Sequence, residues 1–145
     1  MHALPRKLSL DELTELFEGP TRFLELLAER DDPLRQARVV LADLPEQDVV
    51  EALNAHPRIG QRGLAGRSAR EQGSEEDPAL MAALVRLNKT YEEKFGFRFV
   101  IFVDRRPRAE ILPVLRERLQ RDREEELAAA CDELVAIAHD RWRSR

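Results

Sequence analysis

One cysteine, Cys131, is all the thiol this 145-residue chain carries. No internal disulfide can staple it, a condition that fits a reducing compartment, so an apolar core must hold the fold. Aromatic residues are scarce at 6%, and only six glycines occur, four of them crowded between Gly60 and Gly73; that composition leans helical and away from a β-sandwich. A run of about 18 apolar residues, long enough to cross a bilayer, is missing, as is a signal-peptide core near the N-terminus. Charge of one sign is missing too. The formal net charge is -4, and from Phe97 to Arg145 eleven arginines are interleaved with ten acids, so no basic stripe forms to track phosphates. These absences exclude nucleic acid and membrane as expected partners. Arg143-Ser144-Arg145 differs from a Ser-Lys-Leu peroxisomal address, and the expected location is the cytoplasm.

What is present is a globular balance of 43% hydrophobic and 36% charged residues, enough for one domain over 1–145 that buries about two-thirds of its unfolded surface. Ser9 to Glu12 has capping-box spacing, and Leu10, Leu13, Leu16 and Phe17 share a helical face that Gly19 ends. Phe23, Leu24, Leu26 and Leu27 make a second short helix. Asp32-Pro33 offers an N-cap with proline at the first position, opening a helix with Leu34, Ala37, Leu41 and Leu44 inside. Pro45 starts the next, with Val49, Val50 and Leu53 inward, and Asn54-Ala55-His56-Pro57 breaks it. From Ala55 to Glu76 the glycines gather in a long loop of the kind that is usually functional or disordered. Asp77-Pro78 opens a strong helix with Leu80, Leu84, Leu87, Asn88, Tyr91 and Phe95 on one face and Gly96 as its cap. Phe97 and the run from Phe99 to Val103 read as a buried extended connector, too solitary for a sheet. Arg106-Pro107 then opens a helix that Pro113 must kink or delay. Asp122 with Glu124 to Glu126 starts a last helix bearing Leu127, Ala130, Leu134, Ile137 and Ala138, whose stripe Arg141 extends. The expected fold is all-α, a single-domain bundle of about seven to eight helices with a long glycine-rich active-site loop.

Of three histidines, His2 belongs to a mobile terminus and His139 falls off its apolar stripe into solvent; His56 alone is well placed. With an ordinary pKa of about 6.5 it can exchange a proton near neutrality, aimed by the stiff Pro57; equally, it can cap the preceding helix through its exposed carbonyls. Glu71 either closes a capping box with Ser68 or pairs with His56. Arg141, in register with Leu134 and Ile137, either snorkels to the surface or meets an anion. One usable histidine and one cysteine in different elements give no metal-ligand spacing. There is no P-loop, no dinucleotide fingerprint and no Gly-x-Ser-x-Gly elbow, so the surviving enzyme reading is cofactor-free.

Taken together, His56-Pro57-Arg58-Ile59-Gly60, the segment Ser68 to Gln72, the block from Asn88 to Ile101 and the tail through Arg141 resemble the 2-oxo-4-hydroxy-4-carboxy-5-ureidoimidazoline (OHCU) decarboxylases over essentially the whole chain. The N-terminal quarter departs from that family, lacking its tryptophan-containing segment between Phe17 and Arg30; Pro113 and the extra glycines and arginines between Gly60 and Ser68 depart as well. The resemblance implies an all-helical, commonly dimeric and cofactor-free enzyme that converts OHCU of urate breakdown to (S)-allantoin and carbon dioxide. It implies His56, Glu71 and Arg141 as the catalytic trio. It implies Pro57, Ser68, Ala69, Arg70, Gln72 and the stretch Phe99, Val100, Ile101, Phe102 and Val103 as the substrate lining, with no metal and with homodimerisation. Two other readings stand beside it. One is a decarboxylase of a related ureide, separable by a substrate panel; the other is a non-catalytic helical interaction module, in which Glu71 and Arg141 would point away from His56.

Overall fold

The apolar stripes of the sequence become seven helices in a computed structural model that describes residues 3–59 and 77–145. They are α1 (Leu10–Phe17), α2 (Arg22–Ala28), α3 (Pro33–Asp43), α4 (Glu46–Asn54), α5 (Pro78–Phe95), α6 (Arg108–Arg118) and α7 (Arg123–Arg143), with no strand among the described residues. The all-α expectation holds. The glycine-rich loop lies outside the described residues from position 60 to 76.

Local chemistry explains most boundaries. Ser9 accepts from the Glu12 N–H while Glu12 reaches back to the Ser9 N–H, a complete capping box on α1. Thr21 caps α2, Asp77 caps α5 and Asp122 caps α7, each through its side-chain oxygen. Gly96 closes α5 at φ 83°, a left-handed conformation that glycine adopts without a β-carbon clash. Two boundary expectations change. Asp32 occupies the N-cap position of α3 but in a left-handed conformation, φ 52° and ψ 52°, with no side-chain cap; its N–H donates to the Arg6 carbonyl instead, which ties it to the N-terminal segment. Of the kink or delayed start expected from Pro113, the delay does not occur: α6 starts at Arg108 and runs through Pro113, whose ring is exposed.

α7 is the spine. It packs against α1, α3 and α4, while α2 joins α1 to α3 and α4, and α5 pairs with α6. Leu13, Leu16, Phe23, Leu24, Leu27, Leu53, Leu115, Ala130 and Leu134 meet in one core. Phe97 to Val103 is the buried connector between α5 and α6 that the sequence predicts; Phe97, Phe99, Val100, Ile101 and Val103 are buried, and the Tyr91 ring packs on Phe95, Phe97 and Phe99. Its backbone finds side-chain partners where a sheet would have supplied ladders: Val100 accepts from Arg118, and Phe102 and Val103 accept from Arg106.

Candidate active site

α4 ends at Asn54 because Pro57 disfavours helical geometry in the residue before it, and the chain turns with the His56 N–H donating to the Leu53 carbonyl. The carbonyls at this helix end are capped, and by a different residue from the one the sequence suggests. Arg98 Nη1 donates to the carbonyls of both Asn54, at 2.7 Å, and His56, at 2.9 Å, while its own N–H donates to the Asn54 side chain. The helix-capping role considered for His56 therefore belongs to Arg98. Two more ties fix the turn to α5. Asn88 donates to the Ile59 carbonyl at 2.7 Å, and Arg58 makes a two-pronged ion pair with Glu92 at 2.7 and 2.9 Å.

So held, the His56 ring is buried, with 6% exposure, and its Nε2 has no hydrogen-bond partner among the described residues. Burial and the neighbouring Arg141 charge push its pKa down from 6.5 to about 3. This corrects the expectation of a proton exchanger near neutrality: the ligand-free protein holds a neutral imidazole, able to accept a proton or a hydrogen bond at Nε2. A buried polar atom left in that state is costly unless something else in the functional cycle engages it.

Arg141 comes from the far end of α7, yet its charge is felt at His56. Its side chain is 2% exposed, so the snorkelling reading is set aside. Nη1 donates to the carbonyls of Leu16 and Glu15 in the last turn of α1, and it pairs with Glu18 at 3.2 Å. Of the three proposed catalytic side chains, His56 and Arg141 are both buried and the Arg141 charge acts on His56. Glu71, with Ser68, Ala69, Arg70 and Gln72, lies outside the described residues. Pro57 flanks His56 and is half-buried. In the stretch Phe99 to Val103, three carbonyls already serve arginines of the fold, which narrows what that backbone can offer a ligand.

The other candidates are structural. His139 is half-buried, not solvated, because its Nε2 meets the Leu34 carbonyl at 2.9 Å and ties α7 to α3. Burial pushes the Cys131 thiol up to about 11, so it is no nucleophile at neutral pH. No group of three or more potential metal ligands occurs among the described residues, and none of their helices is long and apolar enough to cross a membrane. The sequence places Asn88 on the inward face of its helix, where it is buried, but gives no individual role at this turn to Arg98, Glu92 or Glu18. Arg98, Asn88 and Glu92 lie in the block from Asn88 to Ile101 that carries the family resemblance, which was their available signal.

Comparison with known proteins agrees with the fold. A crystal structure of OHCU decarboxylase obtained in the presence of (S)-allantoin superposes with a TM-score of 0.77 at 26% identity, covering 92% of this chain and 96% of that one. Among curated proteins, the 2-oxo-4-hydroxy-4-carboxy-5-ureidoimidazoline decarboxylase of Haloferax volcanii is 35% identical over 79% of this chain and 71% of its own length. That of Halalkalicoccus jeotgali is 33% identical over 74% of this chain, the match spanning 64% of its length. With the OHCU decarboxylase family model also matching residues 2–143, the chain belongs to the OHCU decarboxylase family.

Proposed function

We propose that this protein decarboxylates 2-oxo-4-hydroxy-4-carboxy-5-ureidoimidazoline to (S)-allantoin and carbon dioxide in urate degradation, as a one-domain cytoplasmic homodimer over residues 1–145. The observation that carries the reading is the buried His56, whose Nε2 has no hydrogen-bond partner among the described residues and whose pKa burial and the Arg141 charge push down, in a chain matched by the family along nearly its full extent.

The chemistry suits such a site. When carbon dioxide leaves this substrate, the electron pair passes into the adjoining imine and carbonyl system, so no Schiff base or metal is required to hold it. What remains for the protein is to orient the departing carboxylate, stabilise a delocalised anion and deliver a proton to one face. A neutral His56 can accept the proton of the 4-hydroxyl at Nε2. Arg141 can offset the negative charge of the carboxylate and of the anion that follows. Glu71 is the carboxylate proposed to work with His56, and Pro57, the segment Ser68 to Gln72 and the stretch Phe99 to Val103 are the proposed lining.

Circular dichroism of allantoin formed from freshly generated substrate tests the proposal, because spontaneous decay yields racemate and only stereospecific catalysis gives a signal. The expected outcome is an (S)-allantoin signal that is lost in His56→Ala while the variant keeps its helical spectrum. Racemic product with the parent protein would end the assignment.

A further inference from the structure

Glu18 sits directly after α1 at φ 68° and ψ 158°, a conformation in which a β-carbon is crowded and which non-glycine residues occupy at a free-energy cost. A glycine stands next in the chain, yet the strained position carries a glutamate. Helix capping does not require its side chain, since the Glu18 N–H already donates to the Thr14 carbonyl. The carboxylate has another engagement: Oε1 lies 3.2 Å from Arg141 Nη1, where the arginine side chain is 2% exposed and the glutamate side chain 33%. The same Nη1 donates to the Leu16 and Glu15 carbonyls, at the negative end of the α1 dipole. Nη1 of the guanidinium fork thus meets three acceptors at the end of α1.

We propose that Glu18 is the positioning residue for Arg141, accepting backbone strain to fix Nη1 so that the guanidinium meets the carboxylate of an anionic substrate beside His56. This rests on reading Arg141 as the arginine that binds the substrate anion. A planar fork recognises a carboxylate only in a defined orientation, and a seat at one end supplies it. Without Glu18 the side chain keeps its charge and its carbonyl acceptors but loses its carboxylate partner at the end of α1, so the loss should fall on substrate binding more than on folding.

The test compares steady-state kinetics and thermal unfolding of Glu18→Ala, Glu18→Gly and Glu18→Gln with those of Arg141→Ala. Glu18→Ala should raise KM about ten-fold, the scale of one charge-assisted hydrogen bond, with kcat little changed. Glu18→Gly relieves the positive φ and should hold or raise Tm while showing the same KM defect; Glu18→Gln, which keeps an acceptor, should recover part of the affinity. Parental KM in Glu18→Ala and Glu18→Gly, with only Tm altered, would overturn the positioning role while leaving the Arg141 reading intact. Parental KM in Arg141→Ala would instead remove the reading on which the proposal stands.

Discussion

A histidine that the fold keeps neutral makes a stability prediction of its own. His56 has an ordinary pKa of 6.5 when exposed and about 3 in the folded protein, so below pH 6.5 the unfolded chain binds a proton that the native state refuses. Its contribution is fully present above pH 6.5 and is lost as pH falls toward 3, at about 1.4 kcal/mol per pH unit through that window. Carboxylates titrate in the lower part of the same window, so the comparison needs His56→Asn, which removes only this term. The parent should lose Tm more steeply than His56→Asn between pH 6.5 and 4; parallel curves would mean that the imidazole is protonated in the native state. The position of His56 at a helix break was legible in the sequence, but its protonation was not. Desolvation depends on what packs over the ring, and Arg141 arrives from 85 positions along the chain. His139 misled for the same reason, because its carbonyl partner sits on a helix that periodicity cannot place beside it.

Between elements, the turn after α4 is aimed by a residue of the α5–α6 connector. Arg98 spans the Asn54 and His56 carbonyls with a single nitrogen, so Arg98→Ala should leave two carbonyls at a helix terminus without their cationic donor and cost about 2 kcal/mol. If the same clamp aims the imidazole, kcat should fall more than KM rises, since a misdirected ring disturbs proton transfer more than binding. Urea unfolding and steady-state kinetics on one preparation check both, and a stability loss with parental kcat would confine Arg98 to capping. The helices themselves were largely readable: apolar spacing from Leu80 to Phe95, bracketed by Asp77 and Gly96, predicts α5 with its observed cap residues. The clamp was not readable, because alternation in Phe97 to Phe99 shows that Arg98 points away from its aromatic neighbours but not that carbonyls some forty residues upstream await it. Asp32 marks another limit, since an Asp-Pro pair predicts a side-chain cap and a contact with Arg6 imposes a left-handed backbone instead.

Across the whole molecule, the α5–α6 pair is bound to the α7 spine through a buried polar junction where an apolar one would have served for cohesion alone. Tyr91 of α5 donates to Glu126 Oε1 at 2.6 Å, Arg118 of α6 donates to the same oxygen at 2.8 Å and to the Val100 carbonyl at 2.9 Å, and its guanidinium lies over the Phe99 ring. Glu126 is fully buried; its Oε2 has no hydrogen bond among the described residues and stands 3.5 Å from Arg121 Nη1. Burial and the Glu126 hydrogen bond push the Tyr91 hydroxyl pKa up, which keeps it a donor. Desolvation on this scale consumes most of what the pairing returns, so the junction is expected to add little net stability while being costly to break on one side. Arg118→Met should therefore cost about 3 kcal/mol by taking the nearest cation from the buried Glu126 carboxylate and leaving it to Tyr91 and the more distant Arg121, whereas Arg118→Met combined with Glu126→Leu should recover most of that loss. Adding Tyr91→Phe to the double variant removes a hydroxyl that no longer has its acceptor and should recover more. Chemical denaturation of the three proteins measures each step. A double variant as unstable as Arg118→Met alone would mean that the cost lay in lost packing on Phe99, not in the stranded charge. The same series bears on activity, because Asn88 and Glu92, which pin the His56 turn, ride on the helix that Tyr91 anchors. If the polar junction fixes the register of α5 against α7, the stable double variant should still lose turnover; if turnover follows stability alone, apolar packing suffices to place the site.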